Sequence, residues 1–387
     1  MPAIHEWDTV VIGAGVFGAW TAERLRSAGQ NVLLVDSWGP AHARASSGGE
    51  SRMTRTAYGA DAIYARMAWD SLADWKRLSA ISGLPVFHPT GVLFFFQEEQ
   101  PYATDTIAAH KAMGLPTQLL DRADMAKRFP QIDFGDIELG LYEPQLGVLM
   151  ARRAVQTLVD RFVRAGGAYR QAQIVPPKSA KTLDAVTTRE GDTIRAKRFV
   201  FACGSWLPKL FPDLLGKRIF PTRQEVYFFA PPAGDVRFGL GQIPGWADFN
   251  HGDLYYGFPD LEARGFKIAH DQHGPPIDPD AGDRIASTQG LETVRHYMER
   301  RFPGLAGAPL VESRVCQYEN SANGDFLIDH HPEWSNVVLV GTGSGHGFKH
   351  GPEVGRYAAQ LALGTLAKAE PRFSLASKGE AQDRAVH

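Results

Sequence analysis

The sequence predicts a mixed α/β fold that joins a parallel sheet to an antiparallel one, and three observations carry that expectation. A β-branched run, Trp7–Ile12, passes through a glycine-spaced turn into a helix-forming segment and a second apolar run at 31–36 (NVLLVD). This strand–helix–strand unit has the length of a right-handed parallel crossover. Between 218 and 275 the segments RQEVYFFA, DLYYGFP and GFKIAH read as antiparallel strands separated by Pro- and Gly-rich turns. Near the other end, residues 336–340 (NVVLV) enter the loop GTGSGHGFKHG, and a helix follows over about 353–363.

The intervening elements follow in order. Residues 19–28 have helix-forming composition and Gly29 closes them. Residues 39–59, rich in Gly, Ser and Arg, read as a long connection. Residues 62–82 are amphipathic, with Ala65, Trp69, Leu72 and Trp75 on one side, and Gly83 and Pro85 stop the helix. A strand over 90–97 (TGVLFFFQ), a helix over 149–165 ended by Gly166 and Gly167, and a meander-like stretch up to 203 come next. Within that stretch, 198–204 (RFVFACG) again runs strand into glycine, and a further helix lies near 290–301. The polar tail after Lys368 is expected to be loosely held.

Composition narrows the functional classes. The 387 residues suit two or three domains with sizeable cores. Lys+Arg (41) against Asp+Glu (43) leaves a net charge of −2, so no global field draws the chain to nucleic acid or acidic lipid. Two cysteines, Cys203 and Cys316, exclude a disulfide framework and a cysteine-built metal site, and they fit a reducing compartment. The N-terminus lacks a basic region before its apolar run, so it does not read as a secretory signal. The uncharged stretch 9–22 is too short for a membrane span. A cytoplasmic protein with no membrane or nucleic-acid partner is the expectation.

Gly13, Gly15 and Gly18 follow a strand and open a helix, and Asp36 ends the next strand 18 residues after Gly18. In that context Gly13 allows the tight turn, Gly15 admits a pyrophosphate to the backbone and Gly18 lets helix and strand pack closely. The helix N-terminus offers free N–H groups to phosphate, and Asp36 suits ribose hydroxyls while disfavouring NADP. A dinucleotide is expected here. Glycines at 341, 343, 345 and 347, with Lys349 beside them, lie in a second strand–loop–helix. Such a loop lets main-chain N–H groups approach a planar ligand, and Lys349 with the helix end would stabilise the negative charge a reduced flavin gains near N1 and the C2 carbonyl. An ordinary flexible loop is the alternative.

Arg52 and Arg55, three apart, would share a face in a helical turn. They suit a carboxylate or phosphate clamp, but a solvated surface pair is the simpler expectation. Lys267 alternates with Phe266 and Ile268, so it is either an inward lysine needing a partner or function, or an ordinary surface one. Cys203 and Cys316 each read as small core residues. His330, His331, His270 and His273 follow no metal-ligand spacing, and no metal is expected.

Taken together, VVIGAGVFG with Asp36, SRMTRTAYG, FACGSW, RQEVYFF, YYGFP followed by GFKIAH, VCQYENSANGDFLID and GTGSGHGFKHG resemble the D-amino-acid-oxidase-like flavoproteins. The sarcosine oxidase and N-methyltryptophan oxidase group is the most similar branch, and the motifs occur in its order over nearly the whole chain. The resemblance implies a Rossmann-type FAD-binding domain (1–86, 145–217 and 320–387) interleaved with an antiparallel-sheet substrate domain (87–144 and 218–319). It implies that Gly13, Gly15, Gly18 and Asp36 hold the ADP half of FAD, with Ile174 near the adenine, and that Val16 and Phe17 also bind the cofactor. Ser47, Arg52, Gly204, Gly343, Gly345, Gly347 and Lys349 complete the cofactor set, Arg52 lying against the flavin. Cys316 falls where the group attaches FAD through a thioether. Arg55 and Lys349 would bind a substrate carboxylate, Lys267 would promote reaction with oxygen, and Tyr256, Tyr318 and His346 would line the site.

The sequence departs from the group at two places. Ser47 and Gly48 replace a histidine pair, which opens space near the flavin, and Asp271 replaces a pocket histidine four residues after the lysine. An acid there resembles the fructosyl-amino-acid oxidases; ionised, it would favour a cationic or hydroxyl-rich substrate and hinder deprotonation of a nearby ammonium. The implied activity is oxidation of secondary amines, N-substituted amino acids, to imines with reduction of O2 to H2O2, by a monomer or small homo-oligomer. The alternatives are an amine dehydrogenase with another acceptor, a fructosyl-amino-acid oxidase, or a flavin-binding subunit without turnover of its own.

Overall fold

In the computed structural model, which describes residues 7–179, 181–250, 253–272 and 274–382, the strand Trp7–Ile12 is the centre of a seven-stranded sheet. It pairs in parallel with Val32–Asp36 on one side and Thr193–Phe201 on the other. Val337–Gly341 and Ala168–Gln171 extend the parallel array, and Leu327–His330 closes one edge antiparallel. Both faces are covered, as parallel strands require. Val11, Leu34 and Val200 pack with the helices Val16–Ser27, Ala151–Arg164 and Gly351–Leu363, while Val10, Ile12, Leu33, Val35, Phe199 and Phe201 pack on the other side. The first helix starts three residues earlier than its composition suggests, because Gly15, in extended conformation, serves as its N-cap.

The second sheet has eight strands, running from Leu310–Ser321 through Ile219–Phe229, Phe266–His270, Asp253–Phe258 and Gly245–Asn250 to Val92–Phe96, Leu139–Glu143 and Gln118–Asp121. It is antiparallel except where Gly245–Asn250 runs parallel to Val92–Phe96, two strands far apart in the chain whose pairing local pattern does not encode. Alternation sorts its faces. Tyr227, Phe229, Trp246, Phe266 and Ile268 form a core under the helix Thr288–Arg301, whereas Val226, Phe228 and Ala269 gather with Tyr256 on the other face. Lys267 is on that second face, 2% exposed.

Three sequence expectations need correction. The connection 39–59 is not irregular throughout: it contains a 3₁₀ turn, Ser46–Gly48, and a strand, Ser51–Thr54, that pairs antiparallel with Gly147–Met150. Arg52 and Arg55 therefore lie on extended chain and not in a helical turn. The stretch before 203 is not one meander, since Ala168–Gln171 joins the parallel sheet and only Ala185–Thr187 forms a hairpin with Thr193–Phe201. The tail is not loose up to residue 382: Phe373 is 1% exposed within the core, and Arg372 bridges Asp61 (2.7 Å) and Asp325 (2.6 Å). His273 and residues 1–6, which enter the metal and leader readings, lie outside the described residues. Among the described residues no helix is long and apolar enough to cross a membrane.

Candidate active site

A cavity of about 350 Å³ opens at the C-terminal ends of the central parallel strands, where open α/β sheets place ligands. Its walls come from the turn after Trp7–Ile12, the 3₁₀ turn Ser46–Gly48, residues 173–176, the loop at 202–206 and the glycine loop at 341–347. The three spaced glycines divide their work. A Cβ on Gly13 would lie 2.3 Å from the Ala202 carbonyl oxygen, and one on Gly18 would lie 1.8 Å from the Gly13 oxygen, so both are needed for backbone approach. A Cβ on Gly15 would meet only Ser47 Oγ at 3.4 Å, on the rim of the cavity. That is the space a pyrophosphate takes beside a helix N-terminus.

Asp36 lines the cavity, yet it accepts hydrogen bonds from the Ala14 N–H (2.7 Å), the Trp38 N–H (2.8 Å) and the Gly39 N–H (2.8 Å). A carboxylate has about four acceptor sites, so room remains for a ribose hydroxyl while the same group pins the turn. Ile174 lies in the same wall, 5% exposed, bridged to Thr188. Val16, Phe17, Ser47, Gly204, Gly343, Gly345 and Gly347 line it as well, and Ser47 Oγ accepts from the Val16 N–H at 3.0 Å. Gly18 does not line it; its role is the close packing just described. The open rim at Gly15 and the Asp36 wall fit a dinucleotide bound through its pyrophosphate and ribose.

A second cavity of about 90 Å³ adjoins the first; Arg52, Tyr318, Gly345 and Phe348 belong to both. It brings together Arg55, Tyr256, Asp271, Cys316, His346 and Lys349 from distant segments of the chain. The strand Leu310–Ser321 lies between the cavities: Cys316 lines the smaller one, Gln317 and Glu319 line the larger, and Tyr318 reaches both. The structure thus overturns the surface-pair reading of Arg52 and Arg55. Pairing with Gly147–Met150 turns their segment inward, and both guanidinium groups face cavities.

Each charge in the small cavity is held in place. Arg55 donates to the Ala57 carbonyl and stacks 4.2 Å from the Tyr58 ring. Lys349, 3% exposed, donates to Tyr58 OH (2.7 Å) and to the His346 carbonyl (2.8 Å). His346 is tied to Tyr58 OH through Nδ1 (3.1 Å) and to the Gly324 carbonyl through Nε2 (3.1 Å). Tyr318 donates to Asp271 Oδ1 at 2.9 Å. Burial pushes the Asp271 carboxyl up to about 6, against the opposing pull of the Tyr318 hydroxyl, Arg55, Lys349 and Lys267. Burial also raises the phenols of Tyr256 and Tyr318.

Lys267 stands just behind this cavity. It donates to the Ser51 carbonyl (2.9 Å) and sits 4.7 Å from the Phe258 ring and 5.7 Å from the Tyr256 ring. Burial, then repulsion from Arg52, holds its ammonium well below the usual lysine range. Arg52 donates to Ser46 O (2.8 Å) and to Cys316 Sγ (3.2 Å). Cys203 differs: it donates to Ile12 O at 3.3 Å, and burial pushes its thiol up. Among the described residues no group of three or more His, Cys, Asp or Glu could hold a metal ion.

Two residues escaped the sequence reading. Tyr58, between Arg55 and Lys349, had no signal beyond its place in SRMTRTAYG. Glu319 was legible only through strand alternation from Cys316, and only once that strand was known to separate the cofactor cleft from the smaller cavity.

Comparison with known proteins agrees with this geometry. Residues 8–361 match the sequence profile of the family described as FAD dependent oxidoreductase (DAO). The chain is 31% identical to monomeric sarcosine oxidase of Bacillus sp. (strain B-0618), over 92% of each chain. It is 28% identical to N-methyl-L-tryptophan oxidase of Salmonella arizonae, over 92% of this chain and 95% of that one. The crystal structure of L-proline dehydrogenase from P. horikoshii superposes with a TM-score of 0.82 at 20% identity, covering 96% of this chain and 97% of the other. The chain belongs to the DAO family of FAD-dependent oxidoreductases.

Proposed function

We propose that this enzyme oxidises secondary amines, specifically small N-substituted amino acids, to imines and reduces O2 to H2O2. The observation that carries the reading is one small cavity, adjoining the nucleotide cleft, that gathers Arg55, Lys349 and Asp271. Two cations held by Tyr58 suit a substrate carboxylate, and Arg55 can bind it in bidentate fashion. Asp271 with Tyr318 then receives the amine end. FAD, when bound along the larger cavity, supplies the two-electron redox chemistry. Lys267 and Arg52 stabilise the negative charge that oxygen acquires as it is reduced. Water hydrolyses the imine after release.

A cavity of about 90 Å³ supports an N-methyl or cyclic amino acid over a sugar-bearing one. Asp271 is the observation that keeps the fructosyl-amino-acid reading in play, since a carboxylate can accept hydrogen bonds from sugar hydroxyls. We also propose Cys316 as the covalent anchor, on the strength of its place beside Arg52 at the junction of the cavities. Acid precipitation of the yellow protein tests it: colour in the pellet supports the thioether and colour in solution refutes it. The activity is tested with N-methyl, cyclic and glycated amino acids by following peroxide and oxygen together. Turnover with an artificial acceptor but no peroxide in air refutes the oxidase reading in favour of a dehydrogenase.

A further inference from the structure

The strand Leu310–Ser321 presents a carboxylate to the cofactor cleft on the side opposite the substrate cavity. Glu319 is 8% exposed and lines the large cavity. Its Oε2 accepts from the Ser46 hydroxyl at 2.5 Å and its Oε1 from the Gly343 N–H at 3.3 Å. It thus bonds to two of the segments that wall the cleft and faces a third, where a Cβ on Gly204 would lie 4.0 Å from its carboxyl. Both bonds are donated to it, the pattern an ionised carboxylate requires. Burial pushes this carboxyl up from the usual range, while the hydrogen bonds from Ser46 and Gly343 and the positive charge of Arg52 pull it back toward the ionised form.

The cleft has a direction. Gly15 and Asp36 take the pyrophosphate and a ribose, whereas Arg52, Tyr318 and Gly345 belong to both cavities. A dinucleotide bound in that direction would bring its redox ring to the end that meets the smaller cavity, and Glu319, one residue from Tyr318, lines the larger cavity there. Buried charges there are weakly screened by solvent.

We propose that Glu319 sets the electron affinity of the bound flavin: its fixed negative charge disfavours the charge gained on reduction and so keeps the reduced cofactor a strong electron donor. Ser46 and Gly343 hold the carboxylate in place, and Arg52 limits the size of its effect. The inference rests on the family's cofactor and not on the proposed substrate.

The test is a redox titration of the purified holoenzyme against indicator dyes, with photochemical reduction and no amine present. Glu319→Gln keeps the shape and removes the charge. It is expected to favour the reduced flavin by about tenfold, a rise of ~30 mV for a two-electron couple. Glu319→Asp keeps the charge and is expected to stay near the unmodified enzyme. An unchanged or lower potential in Glu319→Gln overturns the proposal, as does an equal rise in both variants, which would trace the effect to loop geometry. A Glu319→Gln protein that folds by circular dichroism but retains no FAD also overturns it, leaving Glu319 a brace for the cleft walls. None of these outcomes bears on which amine is oxidised.

Discussion

Asp271→Asn is the substitution whose effect can be worked furthest from the structure. The carboxyl is buried with Tyr318, Arg55, Lys349 and Lys267 around it, and its pKa stands at about 6 against 3.8 for the free group. A folded-state value above the unfolded one means that the stabilising contribution is present below pH ~4 and is lost as pH rises through 6. Above that window the ionised group costs the fold about 3 kcal/mol, from two units at 1.36 kcal/mol each. Asparagine removes the cost, so the variant should gain stability over the unmodified enzyme at pH 8 and little at pH 4. On the proposed reaction, the same carboxylate would hold a bound amine in its charged form, by about 1–3 pKa units for a close opposite charge. Because that reaction would oxidise the neutral amine, Asp271→Asn should shift the pH dependence of anaerobic flavin reduction downward by that amount. Stopped-flow absorbance near 450 nm between pH 6 and 10, with thermal melts at pH 4 and 8, measures both effects. A reduction profile superimposable on that of the unmodified enzyme would falsify the role assigned to Asp271.

Other perturbations address the remaining groups. Lys267→Met should slow reoxidation of the reduced flavin by O2 far more than its reduction by substrate; equal effects on the two half-reactions would remove Lys267 from oxygen chemistry. Arg55→Ala removes charge-assisted hydrogen bonds worth about 1.5–3 kcal/mol, so kcat/KM for a carboxylate substrate should fall roughly 10- to 150-fold. The amide of the same substrate should lose far less, and an equal loss would argue against a carboxylate contact. Gly15→Ala should fold but bind FAD more weakly, because its methyl group enters space at the cavity rim. Gly18→Ala drives a methyl group into the Gly13 carbonyl and should fail to fold; equal FAD content in the two variants would contradict the division of labour among the glycines.

How much was legible in the sequence differs by element. The turn from Trp7–Ile12 into Val16–Ser27 and on to Asp36 could be read directly because strand, glycine spacing, helix and acid lie within 30 residues and each constraint is local. The alternation of Phe266, Lys267 and Ile268 was equally local, but whether Lys267 faces solvent depends on the strands beside it and on Ser51, 216 residues away. Arg52 and Arg55 looked like a solvated pair because nothing near them reports the pairing of Ser51–Thr54 with Gly147–Met150. The tail looked loose because its anchor is the bridge from Arg372 to Asp61 and Asp325, which only the folded chain assembles.

By itself, then, the sequence determined the strand–turn–helix units, the dinucleotide signature and, through resemblance, the family whose cofactor is FAD. Those features rest on short-range sterics and hydrogen bonding, where a glycine or an apolar period has one physical meaning. The resemblance also implied one site for Arg52, Arg55, Lys267, Asp271 and Lys349; tertiary structure alone decided that the segment of Arg52 and Arg55 turns inward by pairing with Gly147–Met150, that a single strand turns Cys316 toward the smaller cavity and Glu319 toward the cofactor cleft, and that burial lifts Asp271 to about 6. Burial and charge proximity are properties of the whole packed chain, because they depend on which distant segments exclude water from a given side chain.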